Sequence, residues 1–384
     1  MIKSGYVGFL IFVSMMIVFF VLPDLKGLQK PFRILLGLSF ASIYFALLIK
    51  KEISPKTLWP VVVGGVLVVI MIFRGTFQAA IINAYLCLLG LLCFPHLLFN
   101  LTPIRKINLN YIYVFCVFSI LIQFIFFSSV DGRPSLAYQF NSSGAYLFLF
   151  FISSSVTKNK YIKILVIALS LYMRCRLLIY SILLFYIVRH FKKYFKSWLE
   201  KLNASIIIIS GFICISFFSL WYVANIKSGL SSNATGSSRI VALNDDSNQI
   251  RFLINTLVIG TIYTNPLDAK VLFGFGPVEN FVKSTQGAIV MPHNEMFDAI
   301  VEFGIVAAIF FALFSLPIFN KVASYDNIEY LLPILFHSLI LYVRFLIVPS
   351  FEMLFILFIL YLANEKSILS EPKTIHNAPG FFNS

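Results

Sequence analysis

Histidine titrates near neutrality and is the commonest general base, and the chain has five of them. His190 sits in a basic cluster with Arg189, Lys192, Lys193 and Lys196, His376 lies in the C-terminal tail, and His96 falls near the end of an apolar run. His337 is inside another apolar run and reads as a hydrogen-bonded packing residue. His293 falls at a boundary, where a long hydrophilic segment gives way to the next apolar run. The sequence there reads Met291-Pro292-His293-Asn294-Glu295, followed by Glu302-Phe303-Gly304-Ile305 and preceded by Leu272-Phe273-Gly274-Phe275-Gly276-Pro277. Pro292 fixes the chain entering a helix, and Asn294 can orient the imidazole or a substrate hydroxyl. Glu302 lies about two turns into the apolar run with no Lys or Arg near it in sequence. A carboxylate in such a place is a functional candidate by default; the plainer alternative is a hydrogen bond within a helix bundle. The candidate catalytic set is therefore His293, Asn294 and Glu302.

Arginines form the second set. A guanidinium matches phosphate oxygens through a two-pronged fork, and Arg133, Arg174, Arg176, Arg239 and Arg251 fall on the same face of the topology derived below. Several such forks at a membrane surface suit a lipid-linked diphosphate, while the plainer reading for any one of them is headgroup anchoring. Arg174 and Arg176 stand out, because other residues would serve a simple turn. There is no DxD, no HxxxH, no carboxylate cluster with ligand spacing, no Walker loop and no dinucleotide fingerprint. Neither a metal nor a cofactor is expected.

The elements that must position these groups follow from composition. Of 384 residues, 59% are hydrophobic and 12% charged, and mean hydropathy is +0.90. Soluble domains are about 25% charged, so the chain lacks the polar surface to be one. Its apolar runs are continuous, as in 62–73, which argues against the alternating strands of an outer-membrane barrel. The expected class is all-α and polytopic, with about twelve membrane-crossing helices near 5–23, 31–49, 58–73, 79–98, 111–128, 144–156, 162–173, 177–189, 204–223, 297–318, 331–348 and 351–363. The net charge of +14 then reflects basic residues gathered in cytoplasmic loops, not a nucleic-acid footprint. With the N-terminus inside, 17 of the 30 basic residues are cytoplasmic, and five of the other 13 lie in one long loop that the rule discounts. Both termini are thus expected in the cytoplasm. The five cysteines read as small core hydrophobes.

The run 157–201 is interrupted by Arg174-Cys175-Arg176. One helix would bury both arginines at about 2.5–3.5 kcal/mol each; a hairpin with the arginines at its outer tip avoids that cost. The expected organisation is membrane helices over 1–223, an outer loop over 224–292, further membrane helices over 293–365, and a cytoplasmic tail over 366–384. Within the outer loop, 252–263 is apolar and reads as a helix lying against the membrane face.

Asn265-Pro266-Leu267, Leu272-Phe273-Gly274-Phe275-Gly276, His293-Asn294 and Glu302-Phe303-Gly304-Ile305 resemble motifs of the bacterial O-antigen polymerase and ligase superfamily. Arg251 and Arg176 also fall where that family carries arginines. Cys175 stands where family members usually have serine before the arginine, so Arg174 and Arg176 both remain candidates. The resemblance implies a metal-independent glycosyltransferase in the bacterial plasma membrane, working on its outer face. Undecaprenyl-diphosphate-linked oligosaccharide would be the substrate, repeat units being joined into O-antigen, capsule or exopolysaccharide. His293 would take the proton of the acceptor hydroxyl, and Arg176 and Arg251, with Arg174 and Arg133, would hold the diphosphate. Implied partners are the lipid bilayer and a chain-length regulator and flippase of the same pathway, with no nucleic acid. The rival readings are a ligase that moves finished glycan to another acceptor and, from a different class, a lipid-linked oligosaccharide flippase or transporter.

Overall fold

The structure is a computed structural model that describes residues 7–22, 29–76, 79–99, 109–127, 135–136, 140–156, 160–199, 203–225, 246–276, 281, 294–340 and 344–368. Every regular element among them is helical. The first half holds α1 (Val7–Phe20), α2 (Gln29–Ile49), α3 (Leu58–Phe73), α4 (Ala79–Phe99), α5 (Leu109–Phe126), α6 (Phe140–Val156), α7 (Lys160–Met173) and α8 (Arg176–Phe191). The second half holds the short α9 (Lys196–Leu199), α10 (Ala204–Asn225), α11 (Asp246–Thr264), the short α12 (Ala269–Phe273), α13 (Glu295–Val322), α14 (Ile328–Ile340) and α15 (Phe351–Ile368). Among the described residues five segments are long and apolar enough to cross a membrane: Pro31–Ile49, Pro55–Phe73, Ala79–Leu97, Ala204–Ala224 and Glu295–Val322. Shorter apolar helices accompany them, including Val7–Phe20 and Phe351–Ala363.

Burial sorts these helices into layers. Residues 143–154 of α6 and 351–360 of α15 are buried on every side, as expected of helices that are apolar all round. Aromatic contacts tie α15 to its neighbours: Phe355 stacks on Phe12 at 5.3 Å and Phe358 meets Phe94 at 5.1 Å. On the α6 side, Phe150 meets Phe20 at 4.9 Å and Tyr113 at 5.7 Å. The peripheral helices turn large apolar side chains outward, such as Leu35, Val62, Phe118, Ile125 and Phe217. An apolar exterior around an apolar core suits a hydrocarbon solvent, since a water-soluble protein avoids patches of that extent. Four cysteines are buried and Cys214 is exposed, all five as free thiols.

The interruption at Arg174-Cys175 is a turn between antiparallel helices. Arg174 N–H donates to the Leu171 carbonyl at 3.1 Å and Cys175 N–H to that of Ser170 at 3.3 Å, the paired bonds of a Schellman ending. Arg174 takes the left-handed position at φ +54°, which a non-glycine residue adopts at a cost of about 1–2 kcal/mol. The tip docks on α6, because a Cβ on Gly144 would lie 2.6 Å from Cys175 Sγ. From there α8 runs alongside α6, bringing Phe185 to 5.2 Å from Phe151.

One expectation is revised. The apolar run 331–348 is not one helix: α14 is followed by residues 344–350, which take an irregular, largely buried path. The apolar part of the long loop is helical, within α11, which packs on α10. There Phe252 contacts Phe218 and Tyr222 at 5.2 and 4.7 Å, and Asn255 Nδ2 donates to Ser219 Oγ at 3.3 Å.

Thermal unfolding of the detergent-solubilised protein tests this docking. Gly144→Val should lose about 1–3 kcal/mol through overpacking against Cys175, whereas Arg174→Gly should stay within about 1 kcal/mol of wild type because glycine favours that turn. A Gly144→Val protein as stable as wild type would contradict the docking of the tip on α6.

Candidate functional site

The site is built around the start of α13. Asn294 caps the helix, its Oδ1 accepting the N–H groups of Met296 at 2.9 Å and Phe297 at 3.4 Å. Next to it, the Glu295 carboxylate turns away from its own helix and gathers four backbone N–H groups from the irregular segment. Phe345 N–H donates to Oε2 at 3.0 Å, and Leu346 N–H reaches both oxygens at 3.0 Å. Ile347 and Val348 N–H donate to Oε1 at 2.6 and 3.1 Å. These four donors have left helical geometry inside an apolar bundle, where each unsatisfied group would cost about 1–3 kcal/mol. The carboxylate satisfies all four and is itself fully buried.

The same segment carries Arg344, whose Nε and Nη2 donate to Asp298 Oδ2 at 3.2 and 3.1 Å. Arg344 also pairs with Glu302, and its guanidinium stands 4.8 Å from the Phe303 ring centroid. Asp298 and Glu302 are four residues apart and so share one helix face, which lets a single guanidinium serve both. Ser350 closes the segment: its Oγ donates to the Arg344 carbonyl and accepts Met353 N–H at 2.9 Å, opening α15.

The two glycine-bearing motifs also meet here. Gly304 breaks α13 at φ +86°, and Gly274 sits at φ +89°. Beside the break the Val301 carbonyl accepts Phe275 N–H at 2.7 Å. A Cβ on Gly304 would strike the Leu272 carbonyl, and one on Gly274 the Glu302 carbonyl. Only glycine permits both this backbone sign and this approach. Arg74, following α3, ties down the other side of α12 through the Ala269 carbonyl, with the Phe273 ring 5.7 Å from its guanidinium.

A second polar cluster lies at the start of α15. Arg33 Nη2 is 3.0 Å from Glu352 Oε1 and donates to Tyr146 Oη at 2.9 Å, while Tyr146 donates to Glu352 at 2.7 Å. Phe19 supplies a ring 5.7 Å from the Arg33 guanidinium. Residues 344–352 join the two clusters, and Gly144, two residues before Tyr146, holds the arginine tip. Both clusters and the tip therefore occupy one end of the bundle. At the opposite end Lys192 pairs with Glu329 at 2.7 Å, and Asn327 Nδ2 donates to the Leu360 carbonyl at 3.1 Å.

Of the residues singled out in the sequence, Asn294 is the cap and Glu302 a partner of Arg344. Arg174 is exposed at the tip and Arg176, half-buried, opens α8. His293, Arg133, Arg239 and the side chain of Arg251 lie outside the described residues, so no distance relates them to this cluster. His337 is fully buried and stacks on Phe148 at 4.7 Å. It is a packing residue without the expected hydrogen bond, since neither ring nitrogen has a partner among the described residues. Glu295, Asp298 and Arg344 were not singled out. The available signal was the i, i+4 spacing of Asp298 and Glu302 in an apolar run, together with one arginine in the next run.

The Arg344 cluster yields a test of its ion pairing. Arg344→Met should destabilise the protein by about 3–5 kcal/mol, because two buried carboxylates lose their counter-charge. Adding Asp298→Asn and Glu302→Gln should restore most of that loss. Denaturation in detergent measures both, and a single variant as stable as wild type would contradict the pairing.

No family model, no curated protein and no solved structure matches this chain.

Proposed function

We propose that the chain is a polytopic membrane glycosyltransferase that joins undecaprenyl-diphosphate-linked oligosaccharide repeat units. In this reading about twelve helices cross the bacterial plasma membrane, both termini are cytoplasmic, and the end carrying Asn294, Arg344 and the arginine tip faces outward. The observation that carries the proposal is the interlock of Leu272–Gly276 with Glu302–Ile305: the motifs behind the family resemblance, distant in sequence, meet on the helix that Asn294, the residue after His293, caps.

The chemistry needs no external energy source. The acceptor hydroxyl oxygen bonds to the anomeric carbon of the donor sugar while the bond from that carbon to the diphosphate breaks. The electron pair leaves with the diphosphate, and the hydroxyl proton passes to His293. Arg176, Arg251, Arg174 and Arg133 supply forks for the departing charge, an electrostatic role worth several kcal/mol in a preorganised site. A ligase would use the same steps with a different acceptor. A transporter would be expected to place its ionisable groups at the bilayer midplane; among the described residues the ion pairs gather toward the two ends of the bundle.

Purified protein with lipid-linked repeat units provides the test. His293→Ala should lose about 10²–10⁴-fold in rate, while His96→Ala and His337→Ala retain most activity. Arg176→Lys and Arg251→Lys should still be badly impaired, because lysine keeps the charge and loses the fork. Polymerisation by His293→Ala at the wild-type rate would reject the base, and full activity of both lysine variants would reject the clamp. In a deletion strain, single repeat units on the acceptor would indicate a lost polymerase, and bare acceptor a lost ligase.

A further inference from the structure

The carboxamide of Asn294 has two ends with different fates. Its oxygen accepts two N–H groups of the first turn of α13, which fixes the amide's orientation, since a flip would aim N–H donors at N–H donors. Nδ2 therefore points away from the helix with both hydrogens. The residue is 0% exposed, and Nδ2 has no partner among the described residues. Serine or aspartate caps a helix about as well as asparagine and would bury no such amide donor. Capping alone does not account for this residue, so the free amide calls for an acceptor oxygen from a ligand.

The neighbouring charges restrict what that ligand group can be. Within the first two turns of α13, Asp298 and Glu302 share a single guanidinium, Arg344, and the Glu295 carboxylate beside them is met by backbone N–H groups alone among the described residues. Carboxylates outnumber the cation, so a phosphate oxygen brought here would meet like charge, whereas an uncharged oxygen would not. We propose that Asn294 Nδ2 donates to a hydroxyl or ring oxygen of the repeat-unit glycan, so that the sugar, not the diphosphate, lies against the start of α13. This rests on the transferase reading above, and it assigns the two ends of the substrate to different places: glycan at Asn294, diphosphate toward the arginines. A buried donor that loses its acceptor discriminates strongly between substrates, which makes Asn294 a specificity residue as well as a cap.

Asn294→Ser and Asn294→Thr separate the two roles, the second standing in should the first fold poorly. Both keep an oxygen for the cap and add no charge, so unfolding temperature should hold. The KM for the lipid-linked repeat unit should rise about tenfold or more. The pH profile of kcat should not move, and the inhibition constant of sugar-free undecaprenyl diphosphate should stay at its wild-type value. Unchanged KM in the capping variants would make Asn294 a cap only. A parallel rise in the inhibition constant would place phosphate there instead, and a shifted pH profile would mean that the amide orients an imidazole; each overturns the proposal. Wild-type protein that transfers no glycan at all would reject the transferase reading itself, a result distinguishable from all of these.

Discussion

Four backbone N–H groups inside an apolar bundle must find acceptors, and a single carboxylate provides them. Away from water, irregular chain is tolerated only where protein satisfies its polar groups, and the Glu295 carboxylate does this for residues 345–348. The rest of the polar end follows from that arrangement. Because residues 344–350 do not continue a helix, Arg344 reaches back to Asp298 and Glu302. Because the segment is pinned at the start of α13, α15 begins at Phe351 with Glu352 within reach of Arg33 and Tyr146. Substituting Glu295 by an apolar residue would strand four donors at once.

The bundle thus separates its work by position. Its middle is filled by aromatic and aliphatic packing around α6 and α15. Charged pairs gather at the two ends, where they fix the helix termini. At the candidate-site end these pairs are buried carboxylates and guanidinium groups whose mutual attraction offsets their desolvation only while every partner is present. Such a network holds its neighbours in one geometry, and preorganised donors at fixed positions are what electrostatic catalysis requires. The glycine pair Gly274 and Gly304 adds to this rigidity by letting two backbones touch where side chains would keep them apart.

Much of the helical layout is readable from the sequence because continuous apolar runs admit few alternatives. The hairpin at Arg174-Cys175-Arg176 is readable too, since two arginines in mid-run are costly in any other arrangement. What escapes is the break within the run 331–348. Residues 344–350 include Phe345, Leu346, Ile347 and Val348, as apolar as any helix, and nothing local says that their N–H groups bond to a side chain about fifty residues earlier. The partner of Glu302 is hidden for the same reason: Arg344 is remote in sequence and becomes a neighbour only through that break. The helix entry is readable from Pro292 before an apolar run. Asn294, by contrast, reads in the sequence as a residue that orients the imidazole or a substrate hydroxyl and not as a cap, and the burial of its amide donors depends on packing that no local pattern records.

Hydrogen–deuterium exchange over residues 345–348, comparing wild type with Glu295→Gln in the same detergent, tests the central claim most directly. The carboxylate account predicts slow exchange in wild type and a marked, local loss of protection in the variant, because a neutral amide offers one acceptor oxygen where the carboxylate offers two. Equal protection of the segment in both proteins would contradict it.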